Sequence, residues 1–122
     1  MRKKLLALMM ALTMLFVCTG CLEDEPVELG DETWAVYWYL CGSDLESEGG
    51  FATGDMQEML DVELPANVTV VIETGGAAQW QNEMVDAEKL QRYVYNSEGL
   101  TLVDEQPSAS MGDSETLADF LH

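Results

Sequence analysis

Two runs of this chain are built from aromatic and β-branched residues with no regular polar alternation. Trp34 to Leu40 reads Trp-Ala-Val-Tyr-Trp-Tyr-Leu, and Asn67 to Thr74 reads Asn-Val-Thr-Val-Val-Ile-Glu-Thr. A half-buried antiparallel strand alternates apolar and polar residues. Without that alternation, such runs predict strands covered on both faces, as in an α/β sheet. Gly42 closes the first run and Gly75-Gly76 the second. Between them, the glycines and acids of residues 42–50 read as a loop. Asp55 and Glu58 then have the spacing of a capping box, with Met56, Met59 and Leu60 at helical intervals behind it. That helix should stop before Pro65. Strand, helix and strand in this order predict a right-handed crossover and a parallel pair.

A polar stretch through Gln79, Trp80 and Gln81 follows. Arg92–Tyr95 and Leu100–Val103 read as short strands around the turn residues Asn96-Ser97-Glu98-Gly99, a hairpin. Ser114–Leu121 reads as a helix capped by Asp113 or Ser114, with Leu117, Phe120 and Leu121 on one face. Sheets of this class usually have four or more strands, whereas the parallel set here has two, and the last helix leads into no further strand. The expectation is an α/β fold truncated before its sheet is complete.

The first twenty residues have a different logic. Arg2, Lys3 and Lys4 precede an apolar stretch from Leu5 to Val17, and Thr19-Gly20-Cys21 follow. A cationic head, an apolar core and small residues at the cut make a secretory signal. The apolar core is too short to span a bilayer, which takes roughly 20 such residues. The end of the segment resembles a bacterial lipobox, in which a small pair precedes the cysteine that receives the lipid. Cys18 stands where leucine is usual. Residues 1–20 are therefore expected to be a lipoprotein signal, Cys21 the lipid attachment site, and residues 21–32 an acidic tether too polar to build a core. The protein is expected to be exported and anchored to the extracytoplasmic face of the cell membrane. Loss of Cys18 and acylation of Cys21 leave Cys41 as the remaining thiol, so no disulfide framework is expected. Cys41 follows an apolar run and reads as a small buried residue. Three of the five bases lie in the signal, so the processed chain carries two bases against 23 acids, a net charge of −21. That charge repels nucleic acid and anionic membrane surfaces, and it attracts divalent cations and basic peptides.

Several linked segments resemble the clostripain family of cysteine peptidases. They are Tyr39-Leu40-Cys41-Gly42-Ser43-Asp44-Leu45-Glu46-Ser47, Val70-Val71-Ile72-Glu73-Thr74-Gly75-Gly76-Ala77, Lys89-Leu90-Gln91-Arg92-Tyr93 and Leu100 to Pro107. Met111-Gly112-Asp113 and Leu117-Ala118-Asp119-Phe120-Leu121 continue the similarity, which runs in order from about Trp34 to Leu121. The resemblance implies that residues 33–122 are the amino-terminal part of a peptidase domain. It also implies a partial caspase-like three-layer sandwich, with a parallel sheet core and a β-hairpin. The implied chemistry is acyl transfer by a cysteine thiolate with a histidine as proton shuttle, cleaving peptide or protein substrates beside basic residues. The family's histidine lies in a His-Gly motif after a further strand, and its cysteine ends a later one. Neither motif is found here. His122 precedes the place where that histidine belongs and does not inherit its role, and Cys41 has no histidine near it in sequence. The chain alone is therefore expected to be inactive and to fold poorly, with catalytic residues: none.

The family's association with calcium directs attention to Asp44-x-Glu46-x-Glu48-Gly49 with Asp55 at the twelfth position. The series superficially copies a calcium loop, although it has glutamates at the third and fifth positions and follows a strand rather than a helix. Trp34, Trp38, Trp80 and the Met56/Met59/Leu60 stripe read as core rather than as a ligand surface. The alternative to a peptidase segment is a non-catalytic, lipid-tethered acidic binding module.

Overall fold

The computed structural model describes residues 30–122. The expected signal, Cys21 as the expected lipid attachment site, and residues 21–29 of the expected tether lie outside the described residues. Strand β1 spans Trp34–Cys41, β2 Val68–Gly75, β3 Lys89–Asn96 and β4 Gly99–Pro107. Helix α1 spans Ser43–Gly49, α2 Phe51–Leu60 and α3 Ser114–Leu121. The fold is mixed α/β, with one four-stranded sheet in the order β1-β2-β3-β4.

β1 and β2 pair parallel without a shift, from Trp34 opposite Val68 to Cys41 opposite Gly75. A parallel pair needs a long connection, and α1 and α2 provide it. β3 runs antiparallel to β2, with Ile72 opposite Tyr93 and Glu73 opposite Arg92. The expected hairpin is present with longer arms, and it belongs to the same sheet as the parallel pair. Its turn is tightened by Asn96, whose Oδ1 accepts the Glu98 N–H at 2.9 Å, and Gly99 supplies a left-handed φ of 110°. β4 carries a bulge: Tyr93 faces Leu102 but Arg92 faces Asp104, leaving Val103 as the extra residue.

The register separates two faces. Leu40, Val70, Ile72, Tyr93 and Tyr95 lie on one and form the main core with Ala52 and Met56 of α2 and with Ala77, Trp80 and Val85 of the following loop. Tyr95 anchors the end of α2, its hydroxyl donating to the Val62 carbonyl at 2.7 Å. On the opposite face, Phe120 of α3 packs against Tyr37 and Tyr39, with ring centroids 5.8 and 5.5 Å apart. Arg92 ties the helix down. Its Nε donates to the Glu73 carboxylate at 2.9 Å, its Nη2 donates to the Asp119 carbonyl at 3.1 Å, and its guanidinium lies 5.4 Å from the Phe120 ring centroid. The Asp119 carbonyl is in the last helical turn, which lacks an intrahelical partner and attracts positive charge.

Five expectations need correction. Residues 43–49 are a helix rather than a loop. Gly50 caps it in the left-handed conformation, its N–H returning to the Glu46 and Leu45 carbonyls, an ending that glycine favours. α2 starts at Phe51, so Asp55 and Glu58 lie within it and form no capping box. β1 is not covered on both faces: it is an edge strand, with Trp34 51% and Tyr37 55% exposed. Trp34 is therefore outside the core, whereas Trp80 is buried and Trp38 packs against the core. Finally, Cys41 is exposed, because it is the last residue of that edge strand.

Phe120 is 3% exposed and carries most of the contact between α3 and the sheet. Phe120→Ala should cost about 3 kcal/mol in a denaturant titration. A loss below about 0.5 kcal/mol would show that α3 is not held by this ring.

Candidate functional site

In open α/β sheets, ligands and reacting groups gather at the carboxyl ends of parallel strands. Here that end is built from Cys41-Gly42-Ser43 after β1 and Gly75-Gly76-Ala77 after β2. The two turns are laced together: the Gly42 N–H donates to the Gly75 carbonyl at 2.9 Å, and the Ser43 N–H donates to the Gly76 carbonyl at 3.1 Å. Ser47 completes the lacing, its hydroxyl accepting the Ala78 and Gln79 N–H groups at 3.0 and 3.2 Å. Space permits nothing larger than glycine here. A Cβ on Gly76 would stand 2.6 Å from the Cys41 sulfur and 3.4 Å from the Met111 sulfur, and its φ of 72° is left-handed. Ser43 also has a left-handed φ, 55°, an uncommon conformation for a residue with a side chain.

The Cys41 thiol is thus set against Gly76 and the Met111 thioether rather than against an imidazole. His122 follows the last turn of α3 and is exposed. Nothing in this arrangement supplies the base that a nucleophilic thiol needs. Beside Cys41, the Tyr39 hydroxyl is buried without a hydrogen-bond partner among the described residues. Burial, and then the charges of Glu73, Cys41 and Asp113, push its pKa above the ordinary tyrosine value.

The acids of the supposed calcium loop do different work. Glu46 is fully buried. Its Oε2 accepts the Thr53 N–H at 2.8 Å, and its Oε1 accepts the Thr53 hydroxyl at 2.5 Å and the Gln81 N–H at 2.7 Å. Thr53 lies in the first turn of α2, so Glu46 caps from the preceding helix a terminus that Gly50 cannot cap with a side chain. Asp44, Glu48 and Asp55 are exposed. Among the described residues, no group of three or more His, Cys, Asp or Glu side chains could hold a metal. Sequence reasoning missed the Glu46 cap, since a buried carboxylate serving a helix seven residues on has no local signature.

The chain matches no family model, no curated protein and no solved structure. Among the described residues, no helix is long and apolar enough to cross a membrane.

Burial alone would raise the Glu46 carboxyl pKa, but the donors from Gln81, Thr53 and Ala52 outweigh it and leave the pKa below the ordinary glutamate value. Glu46 therefore contributes stability in full above the ordinary carboxylate range, and that contribution is lost as pH falls through the depressed folded-state pKa. Glu46→Ala leaves the Thr53 and Gln81 N–H groups without their acceptor and should cost about 3 kcal/mol at neutral pH. The difference from the parent should shrink in acid. An equal difference at neutral and acid pH would rule out the ionised cap.

Proposed function

We propose that this chain is the amino-terminal segment of a lipid-anchored, clostripain-like cysteine endopeptidase with a caspase-like sheet. The observation that supports this reading most is convergence. Three of the resemblance-bearing segments, around Cys41-Gly42-Ser43, Gly75-Gly76 and Met111, are far apart in sequence and meet at the carboxyl end of the parallel pair. In this reading the chain supplies one wall of a cleft. The histidine and the nucleophilic cysteine, with the preference for basic residues, belong to the parent enzyme, and calcium enters only through the family resemblance.

The purified chain should show no thiol-dependent hydrolysis of an arginyl peptide ester, with or without calcium and reductant. Turnover abolished by Cys41→Ala would make the chain an enzyme by itself. The wider reading is tested by the coding frame. Continuation past His122 into a strand ending in His-Gly, and then one ending in a cysteine, supports the peptidase, whereas an immediate stop codon overturns it. The anchor is tested separately by expression in a bacterium, where the chain should enter the detergent phase carrying a diacylglyceryl group on Cys21. A Cys21→Ser variant that partitions equally and has a normally cleaved terminus would refute lipidation.

A second reading, a non-catalytic acidic binding module on the same anchor, is favoured by one feature: the uncharged β1, whose outer edge no other strand among the described residues covers.

A further inference from the structure

Between Cys21 and His122 the chain has two positive side chains, Lys89 and Arg92, against 23 acids. Both belong to β3, which has a strand on each side. Every helix and every connection among the described residues is built from acids and neutral residues, with no lysine or arginine. The bases are therefore confined to the inside of the sheet.

That placement decides which peptidases can cut the folded chain. A peptide is gripped in extended form, through main-chain hydrogen bonds and pockets for alternate side chains. Nicking of native proteins accordingly concentrates at exposed loop tips. Neither Lys89 nor Arg92 can be presented in this way. β3 pairs with β4 from Lys89 to Asn96 and with β2 from Gln91 to Tyr95. The bond after Arg92 is thus held from both sides, and the bond after Lys89 from one. Leu90 and Gln91, which follow Lys89, are buried, and so is Tyr93, which follows Arg92. The charged heads are engaged as well. Arg92 Nε donates to Glu73 at 2.9 Å and its Nη2 to the Asp119 carbonyl at 3.1 Å. Lys89 Nζ donates to Glu105 at 2.7 Å. An acidic specificity pocket would have to displace a carboxylate already in place.

We propose that the folded chain is refractory to endopeptidases that cut after lysine or arginine, because its bases are confined to a strand inside the sheet. Cutting either bond requires β3 to leave its neighbours, and a central strand opens at a free energy near that of global unfolding. Cleavage then follows the population of the opened chain. Under the peptidase reading, the parent's preference for basic residues leaves its own amino-terminal segment uncut. The proposal itself rests on where the bases sit and on neither functional reading.

The test is a time course of the full chain with trypsin in detergent micelles, read by mass spectrometry as fragments ending at Lys89 or Arg92. Cuts after Arg2, Lys3 or Lys4 do not enter the comparison. The variant Ala109→Arg places a base in the exposed connection between β4 and α3. In native buffer the new arginine should be cut roughly a hundredfold faster than Lys89 or Arg92. Cutting at the two native bases should rise with urea in step with the loss of circular dichroism from the sheet. Cutting at Lys89 or Arg92 as fast as at the new arginine would overturn the proposal, whether β3 opens locally or the chain does not fold. Cutting that urea leaves unchanged would overturn it too. So would sparing of the new arginine, since protection would then not depend on where a base sits. None of these outcomes touches the peptidase reading, which the coding frame decides.

Discussion

Parallel pairing of β1 with β2 over eight residues is the constraint from which the rest of the structure follows. Two parallel strands cannot be joined by a tight turn, so residues 42–67, a little over a quarter of the described chain, serve as the crossover. Because both strands point the same way, both outgoing turns lie side by side at one end. There the backbone hydrogen bonds from Gly42 to Gly75 and from Ser43 to Gly76 draw them together, and Gly76 is small enough for Cys41 and Met111 to close over it. Within one sheet, a parallel step thus brings two outgoing turns to one end, and the antiparallel steps through β3 and β4 only widen the platform.

An acid-rich chain has few cations with which to neutralise what it buries, and this one places its charges accordingly. Of its five bases, only Lys89 and Arg92 lie beyond Lys4. Arg92 is spent on the second face of the sheet, where one guanidinium engages the nearly buried Glu73 carboxylate, the open end of α3 and the Phe120 ring. Glu46, buried with no cation beside it, is stabilised by neutral donors and by the amino-terminal end of α2. The two devices hold opposite faces of the sheet. Lys89 remains at the surface, bridging Asp86 and Glu105, where an ion pair contributes little.

Sequence was legible where local signals and burial agreed. β2 has apolar residues and lies in the middle of the sheet. The Ser114 helix begins after Asp113, which makes no side-chain cap hydrogen bond, and of its expected apolar face only Phe120 is buried while Leu117 and Leu121 are exposed; Asn96 and Gly99 marked the hairpin turn. It misled where tertiary contacts override composition. The residues of α1 look like a loop, and what makes them a helix is Glu46, whose partners Thr53 and Gln81 lie 7 and 35 residues away. β1 looks central because it is apolar, yet nothing in its own composition reveals that it has one neighbouring strand among the described residues. At the candidate site, glycine at 42, 75 and 76 was readable as punctuation. The approach of the Cys41 and Met111 sulfurs to Gly76 was not, since it joins segments far apart in sequence.

The protected edge at β4 has a consequence for how such molecules assemble. Open-ended stacking of sheets requires two adhesive edges on every molecule, so that each addition leaves a fresh one behind. With Val103 bulged and acids along β4, this sheet has one. Two copies joined edge to edge at β1 would present only β4 outward on either side, so such pairing would stop at two. One adhesive edge per molecule is therefore not enough to seed an open-ended fibre.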